Sequence, residues 1–211
     1  MNIQSGSHMA DKFHFQLVGG HLALDFANTL DFRYDPERFI ELLSSYERLL
    51  AFFQQTGIIT APQARKLLAN TSESEARRAL RRAIEFRETI YFLFLSVLSG
   101  RRVGNAHLRA FNRFLEDARV RENLTWQKRS FVRTYHDLAE TAGGPLWAVV
   151  DAAADLLTCS DCLRIRECSE KTCRWLFLDQ SKNHSRRWCD MKICGNRAKA
   201  RRFYARLRGR A

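Results

Sequence analysis

Apolar and polar positions along the chain alternate in blocks that name most of its elements. Phe13 to Val18 alternates apolar and polar and runs into Gly19-Gly20, the pattern of a short strand entering a turn. From Leu22 to Leu30 apolar residues recur at helical spacing, interrupted by Asp25 and Asn28. Asp35-Pro36-Glu37 predicts a helix start, with Asp35 as N-cap and Pro36 in the first turn. That helix is expected to run through Phe39, Leu42, Leu43, Tyr46, Leu49, Leu50 and Phe53 to a stop at Thr56-Gly57. Thr60-Ala61-Pro62-Gln63 has capping-box spacing and opens another helix, ending near Asn70. A long helix follows from about Ser74 to Ser99, with Gly100 as terminator. Its first half sets Leu80, Ile84 and Phe86 against Arg77, Arg78, Arg81 and Arg82. Its second half is apolar nearly all round, which predicts a buried central helix. Glu73, Glu75, Glu85 and Glu88 interleave with those arginines, so this face reads as solvated and salt-bridged. Asn105 to Arg119 forms a further helix with Leu108, Phe111, Phe114 and Leu115 inward. Leu124–Gln127 and Phe131–Thr134 suit two short strands, and Pro145 opens a last helix ending near Thr158.

All six cysteines lie between Cys159 and Cys194. With no export signal in view, metal binding is a better explanation of such clustering than disulfides. Cys168/Cys173 and Cys189/Cys194 are two C-x4-C pairs enclosing a 15-residue insert, Arg174 to Trp188. Tetrahedral zinc takes four ligands, commonly two local pairs around a hairpin-sized insert. The spacing therefore predicts one structural zinc ion held by Cys168, Cys173, Cys189 and Cys194 in a treble-clef or ribbon-like module. Cys159 and Cys162 are either a redox pair, alternative ligands, or small apolar residues at a helix end, the last being the simplest. In the insert, Trp175–Leu178 is expected to form a strand and Ser185–Trp188 its return, with His184 in the polar tip. From Asn196 a helix follows, its stripe of Ala200, Phe203, Tyr204 and Leu207 expected to pack on the hairpin or body. Trp175, Trp188 and Tyr204 read as module core before they read as base-stacking platforms.

Charge then separates the chain into two parts. Net charge is +12, yet residues 163–211 carry 15 Lys/Arg against 4 Asp/Glu, while the rest is nearly balanced. A basic block beside a neutral body suggests a polyanionic partner. The candidate nucleic-acid contacts are Lys182, Asn183, Arg186, Arg187, Asn196, Arg197, Lys199, Arg201, Arg202, Arg206 and Arg208. The longest apolar run, Ile90–Leu95, is too short to cross a bilayer, so no membrane partner is expected and the cytoplasm is the default address. No P-loop, GxSxG, HExxH or dinucleotide fingerprint appears, and four thiolates leave zinc no open position, so an enzyme is not expected. Residues 1–9, with Ser5-Gly6-Ser7-His8-Met9, read as an expression leader. The expected division is residues 10–160 for a mainly α, multihelical body with minor short strands, and 161–211 for the zinc module.

The tail carries a recognisable pattern: Cys168, Cys173, Trp175, Phe177, Asp179, Ser181-Lys182-Asn183, Arg186-Arg187-Trp188-Cys189, Met191, Cys194-Gly195-Asn196-Arg197 and Lys199. It resembles the CGNR zinc-finger family. Upstream, Gly19-Gly20, Leu24-Asp25-Phe26, Asn28 and Thr29 resemble the ABATE domain that usually precedes such a finger. The resemblance implies a bacterial, stress-induced transcription regulator with a DNA-binding zinc finger, its four ligands being the cysteines already named. Asp25, Asn28 and Thr29 either line a sensory pocket, for a small-molecule effector, or hold the fold locally by capping a helix or the first strand. DNA is the expected partner ahead of RNA, an RNA-binding or ribosome-associated zinc protein being the alternative; palindromic DNA would call for a homodimer.

Overall fold

The computed structural model describes residues 13–208, so the expected leader lies outside the described residues. The described chain is mainly α-helical. In order, its elements are α1 (Leu22–Ala27), β1 (Leu30–Asp31), β2 (Ile40–Glu41), α2 (Tyr46–Gln55), α3 (Ala61–Asn70), α4 (Glu73–Ser99) and α5 (Asn105–Arg119). They continue with β3 (Glu122–Gln127), β4 (Ser130–Tyr135), α6 (Leu146–Thr158), a 3-10 turn at Ser160–Arg164, β5 (Ile165–Glu167), β6 (Leu176–Leu178) and α7 (Asn196–Arg208). Each pair β1–β2, β3–β4 and β5–β6 forms its own antiparallel two-stranded sheet.

Helix α4 is the axis of the body. Ser72 and Glu75 cap it reciprocally, Gly100 ends it at φ +62°, and α1, α2, α5 and α6 pack around it. Its buried residues include Phe86, Ile90 and Phe94, and Phe86 meets rings from α1 and α5. Phe86 lies 5.0 Å from Phe114 and 6.0 Å from Phe111, and Phe26 lies 5.3 Å from Phe52, centroid to centroid. Leu108, expected inward on α5, is 43% exposed, while Phe111 and Phe114 are buried. On the arginine-rich half of α4, Arg77 pairs with Glu73 and Arg82 with Asp117.

Two expected elements differ. Phe13–Val18 is extended but has no strand partner; the Gln55 side chain substitutes for one, accepting from Phe15 N–H at 2.8 Å and donating to its carbonyl at 2.7 Å. The helix expected from Asp35 makes only one turn, with Phe39 N–H bonded to the Asp35 carbonyl, before the chain extends into β2. The reason lies in α4. Arg87, 2% exposed, binds both Glu41 carboxylate oxygens at 2.5 and 2.8 Å, and it donates to the Thr29 carbonyl at 3.1 Å. Glu88 also accepts from Arg87 Nε at 2.8 Å, and the extended path into β2 keeps Glu41 as the second, bidentate partner of this buried guanidinium. Helix α2 restarts at Ser45, whose side chain accepts from Arg48 N–H.

The body and the zinc module share one seam. Ile165, Leu176 and Leu178 belong to the body's apolar core. The Gly19 carbonyl accepts from Leu178 N–H at 2.8 Å, and Trp175 donates its indole N–H to the Leu30 carbonyl at 3.1 Å. A Cβ on Gly19 would come within 2.9 Å of the Asp25 backbone nitrogen, so only glycine fits there. Asn28, 2% exposed, closes the seam: its side chain donates to the Leu176 carbonyl and accepts from Leu176 N–H, both at 2.8 Å. Thr29 donates to the Phe26 carbonyl, and Asp25 accepts from Gly19 N–H at 2.7 Å. These three residues therefore hold the first turn and the seam together, and Asn28 and Thr29 are buried.

Asn28→Ala is expected to leave both Leu176 backbone groups buried and unpaired, lowering unfolding stability by about 2–5 kcal/mol in urea titration. Burial pushes the Asp25 carboxyl up to about 6, against the Gly19 hydrogen bond that lowers it. Above pH 6 the folded protein thus carries an ionised carboxylate that it disfavours relative to the unfolded chain. Asp25→Asn is expected to be more stable than wild type at pH 7, with the gap closing as pH falls toward 4. A gap that stays constant with pH would contradict this account.

Candidate metal centre and nucleic-acid face

The hairpin that carries the first cysteine pair is β5–β6, in register Ile165↔Leu178, Arg166↔Phe177 and Glu167↔Leu176. The expected return strand at 185–188 is absent; β6 pairs backwards with β5 instead, because Ile165 and Leu176 can then enter the body's core. Cys168 follows β5 directly and donates its N–H to the Trp175 carbonyl at 2.8 Å. Cys173 N–H bonds the Glu170 carbonyl at 2.9 Å, closing a tight knuckle. Arg174 leaves that knuckle at φ +61°.

The second pair is set by a different device. Asp190 accepts from Lys192 and Ile193 N–H through its side chain, and its carbonyl accepts from Cys194 and Gly195 N–H. The result is a π-type turn at Met191–Gly195 that feeds α7. The four-residue run at the turn's end divides the work. Cys194 supplies sulfur. A Cβ on Gly195 would meet the Met191 sulfur at 2.4 Å. Asn196 donates its side-chain amide to the Lys192 carbonyl at 2.8 Å, and Arg197 projects toward the body near Phe32.

Cys168, Cys173, Cys189 and Cys194 are all buried, and their sulfurs lie within 4.8 Å of one another. Cys173–Cys189 and Cys189–Cys194 are each separated by 3.6 Å. Disulfide sulfurs sit about 2.0 Å apart, whereas a tetrahedral site with metal–sulfur bonds of about 2.3 Å separates them by about 3.8 Å. The spacing fits the second. Hydrogen bonding to the Cys168 sulfur, with burial added, pushes the Cys173 and Cys189 thiols up. Four sulfurs so close ionise together only around a cation. The donor set therefore suits a tetrahedral ion with every position filled by protein. Cys159 is exposed and Cys162 half-buried against the body, apart from this cluster.

The loop between β6 and Cys189 is organised by Asp179, fully buried. Its carboxylate accepts from the Ser181 hydroxyl at 2.6 Å, from Ser181 N–H and from Arg186 N–H, both at 3.0 Å. Burial alone would raise this carboxyl, but those hydrogen bonds hold it below its ordinary value. His184 sits at the loop with φ +47° and its ring nitrogen 3.2 Å from the Asp179 carbonyl, away from the sulfur cluster.

The residues expected to touch nucleic acid separate into two groups. Lys182, Asn183, Arg187, Arg197, Lys199, Arg202, Arg206 and Arg208 are exposed and form no ion pair among the described residues. Three others are engaged internally. Arg186 bonds the Trp188, Cys189 and Val18 carbonyls, and its guanidinium lies 4.4 Å from the Phe177 ring centroid, so it is a brace of the module and not a free contact. Arg201 pairs with buried Glu170 in the knuckle, and Asn196 is the cap already described. The stripe of α7 also differs from expectation. Phe203 and Tyr204 are each 61% exposed and Leu207 is 50% exposed, because α7 projects beyond the surface it was expected to cover. Trp175 is buried core, as read; Trp188 is half-buried beside Arg187.

Sequence reasoning missed a polar chain between body and module. Arg33 pairs with Glu88 and lies 3.8 Å over the Tyr91 ring; Tyr91 bonds Tyr34 and Glu167; Glu167 pairs with Arg174. Its one visible signal was a Tyr within the apolar half of α4. Residues 20–159 match the family model ABATE, described as "Putative stress-induced transcription regulator". The chain belongs to this family. Residues 164–207 match the CGNR zinc finger. Comparison with curated proteins found no match.

Cys189→Ser is expected to lose the bound metal and to open the knuckle, the loop and α7 to hydrogen exchange, while α1–α6 stay protected. The β5–β6 hairpin should remain protected too, because its apolar residues sit in the body's core. Retained metal and unchanged exchange after Cys168 would show that the ligand set is wrong.

Proposed function

We propose that the chain is a cytoplasmic, non-enzymatic transcription regulator. One structural zinc ion per chain fixes the terminal module, and its basic face binds DNA. The observation that carries this reading is α7: it bears six Lys/Arg and no acidic residue, and all are exposed on a helix anchored at its start by a metal ligand. Basic side chains on a rigid element meet phosphates at fixed spacing, with less entropy lost than from a free tail. Arginine adds bidentate contact with phosphate or guanine. The exposed aromatic stripe of α7 suits contact with base steps or sugar, a further reason for a polyanion with apolar edges.

The body is the sensing or dimerising part in this reading. An open, apolar cleft of about 640 Å³ lies among the ends of α4, α5 and α6, lined by Leu93, Leu108, Phe111, Leu115, Leu157 and Leu163 among others. Its size and lining suit a small apolar effector.

Selection from random DNA and RNA pools in parallel tests the partner; enrichment from the RNA pool alone would overturn the DNA reading. Affinity for the selected duplex should fall steeply with salt. Lys199→Ala with Arg202→Ala, two exposed charges without internal partners, is expected to flatten the log–log salt slope by about 2. An unchanged slope would remove this flank from the interface.

A further inference from the structure

A second cleft, of about 550 Å³, opens where the body meets the zinc module. Three separate stretches of chain line it. Phe32 and Arg38 come from the loop between β1 and β2, Lys171 and Thr172 from the knuckle, and Arg197 and Arg201 from α7. Four of these six are cationic and none is acidic. Arg38 is held by Asp35 at 2.5 Å, and Arg201 by Glu170 from behind. Lys171 and Arg197 form no ion pair among the described residues. Asp35 and Glu170 offset two of the four cations and Asp31 lies within electrostatic reach of Arg197, so the surplus positive charge that would favour an anion rests on Lys171 and Arg197.

The floor of the cleft adds a second chemistry. Phe32 has φ +50°, a conformation that bulky side chains rarely adopt. The pairing of β1 with β2 and the Arg87–Glu41 ion pair hold the loop that carries it. In that pose its ring centroid lies 5.3 Å from the Arg38 guanidinium and 5.9 Å from that of Arg197. A bare oxyanion would use the cations and leave the aromatic surface and most of the volume idle. A phosphate ester bearing a planar ring uses all three.

We propose that this cleft binds a nucleoside phosphate, the phosphate on Lys171 and Arg197, the base against Phe32. Two sources share that chemistry. A nucleotide within a nucleic-acid strand would make the body part of the interface, and this arm rests on the proposed function. A free nucleotide would make the cleft an effector site at the seam, and this arm does not.

The test uses the full-length, metal-loaded protein and three probes: ATP and inorganic pyrophosphate by calorimetry, and a labelled oligonucleotide by anisotropy. Arg38→Ala with Lys171→Ala removes two exposed charges outside the ligand set. It is expected to weaken ATP, oligonucleotide or both at least tenfold. Arg109→Ala with Arg113→Ala on α5 removes the same charge and should change binding less than twofold. Phe32→Leu should weaken ATP but not pyrophosphate. If the cleft variant binds ATP and oligonucleotide as wild type does while Lys199→Ala with Arg202→Ala weakens the oligonucleotide, the cleft proposal fails and the DNA reading stands. If ATP binds through the cleft but no nucleic acid binds, the DNA reading fails and the cleft stands. Equal loss in the α5 control, or no binding of any probe by wild type, overturns the cleft proposal, as does pyrophosphate binding as tightly as ATP with Phe32→Leu silent.

Discussion

Four buried sulfurs drawn together into a site suited to a metal ion are the constraint on which the terminal quarter of the chain depends. Among the described residues, the buried core of the module is the four cysteines with Trp175 and Phe177, against which Val18, Leu42 and Trp188 pack partly buried. So small a core needs a cross-link to order the loop and α7, which metal binding at the four clustered cysteines would supply, while the β5–β6 hairpin is held by the body's core through Ile165, Leu176 and Leu178. The two parts meet through the Asn28 amide bonded to the Leu176 backbone, the Trp175 indole N–H donated to the Leu30 carbonyl, and the Leu178 N–H donated to the Gly19 carbonyl.

This arrangement connects packing to function. The Asp190-capped turn that carries Cys194 sets the start of α7, a metal held there would fix that start, and the helix presents its cations to solvent. Arginines that look alike in sequence then take different work. Arg186 and Arg201 brace the module against carbonyls and a buried carboxylate, while Arg202, Arg206 and Arg208 face solvent. Arg87, deep in the body, sets the β1–β2 loop and so places Phe32 and Arg38 opposite α7.

Much of this was legible in the sequence, for physical reasons that differ by element. The capping box at Thr60 and the terminator Gly100 act locally, so α3 and the end of α4 fall where their residues put them. The ligand set was legible because thiolate spacing has few explanations. Elements decided by distant partners were not. The Asp35-Pro36 helix start yields to the Arg87–Glu41 pair, whose members are 46 positions apart. The second strand of the finger hairpin lies before the knuckle because Ile165 finds the body's core, a fact no local pattern encodes. Amphipathic spacing in α7 suggested burial, yet periodicity cannot say whether a surface exists for the stripe to cover.

X-ray absorption at the metal edge of the purified, reduced protein tests the central claim most directly. The account predicts zinc with a single shell of about four sulfur neighbours near 2.3 Å. A shell containing nitrogen or oxygen, or protein that keeps α7 folded with no metal at all, would contradict it.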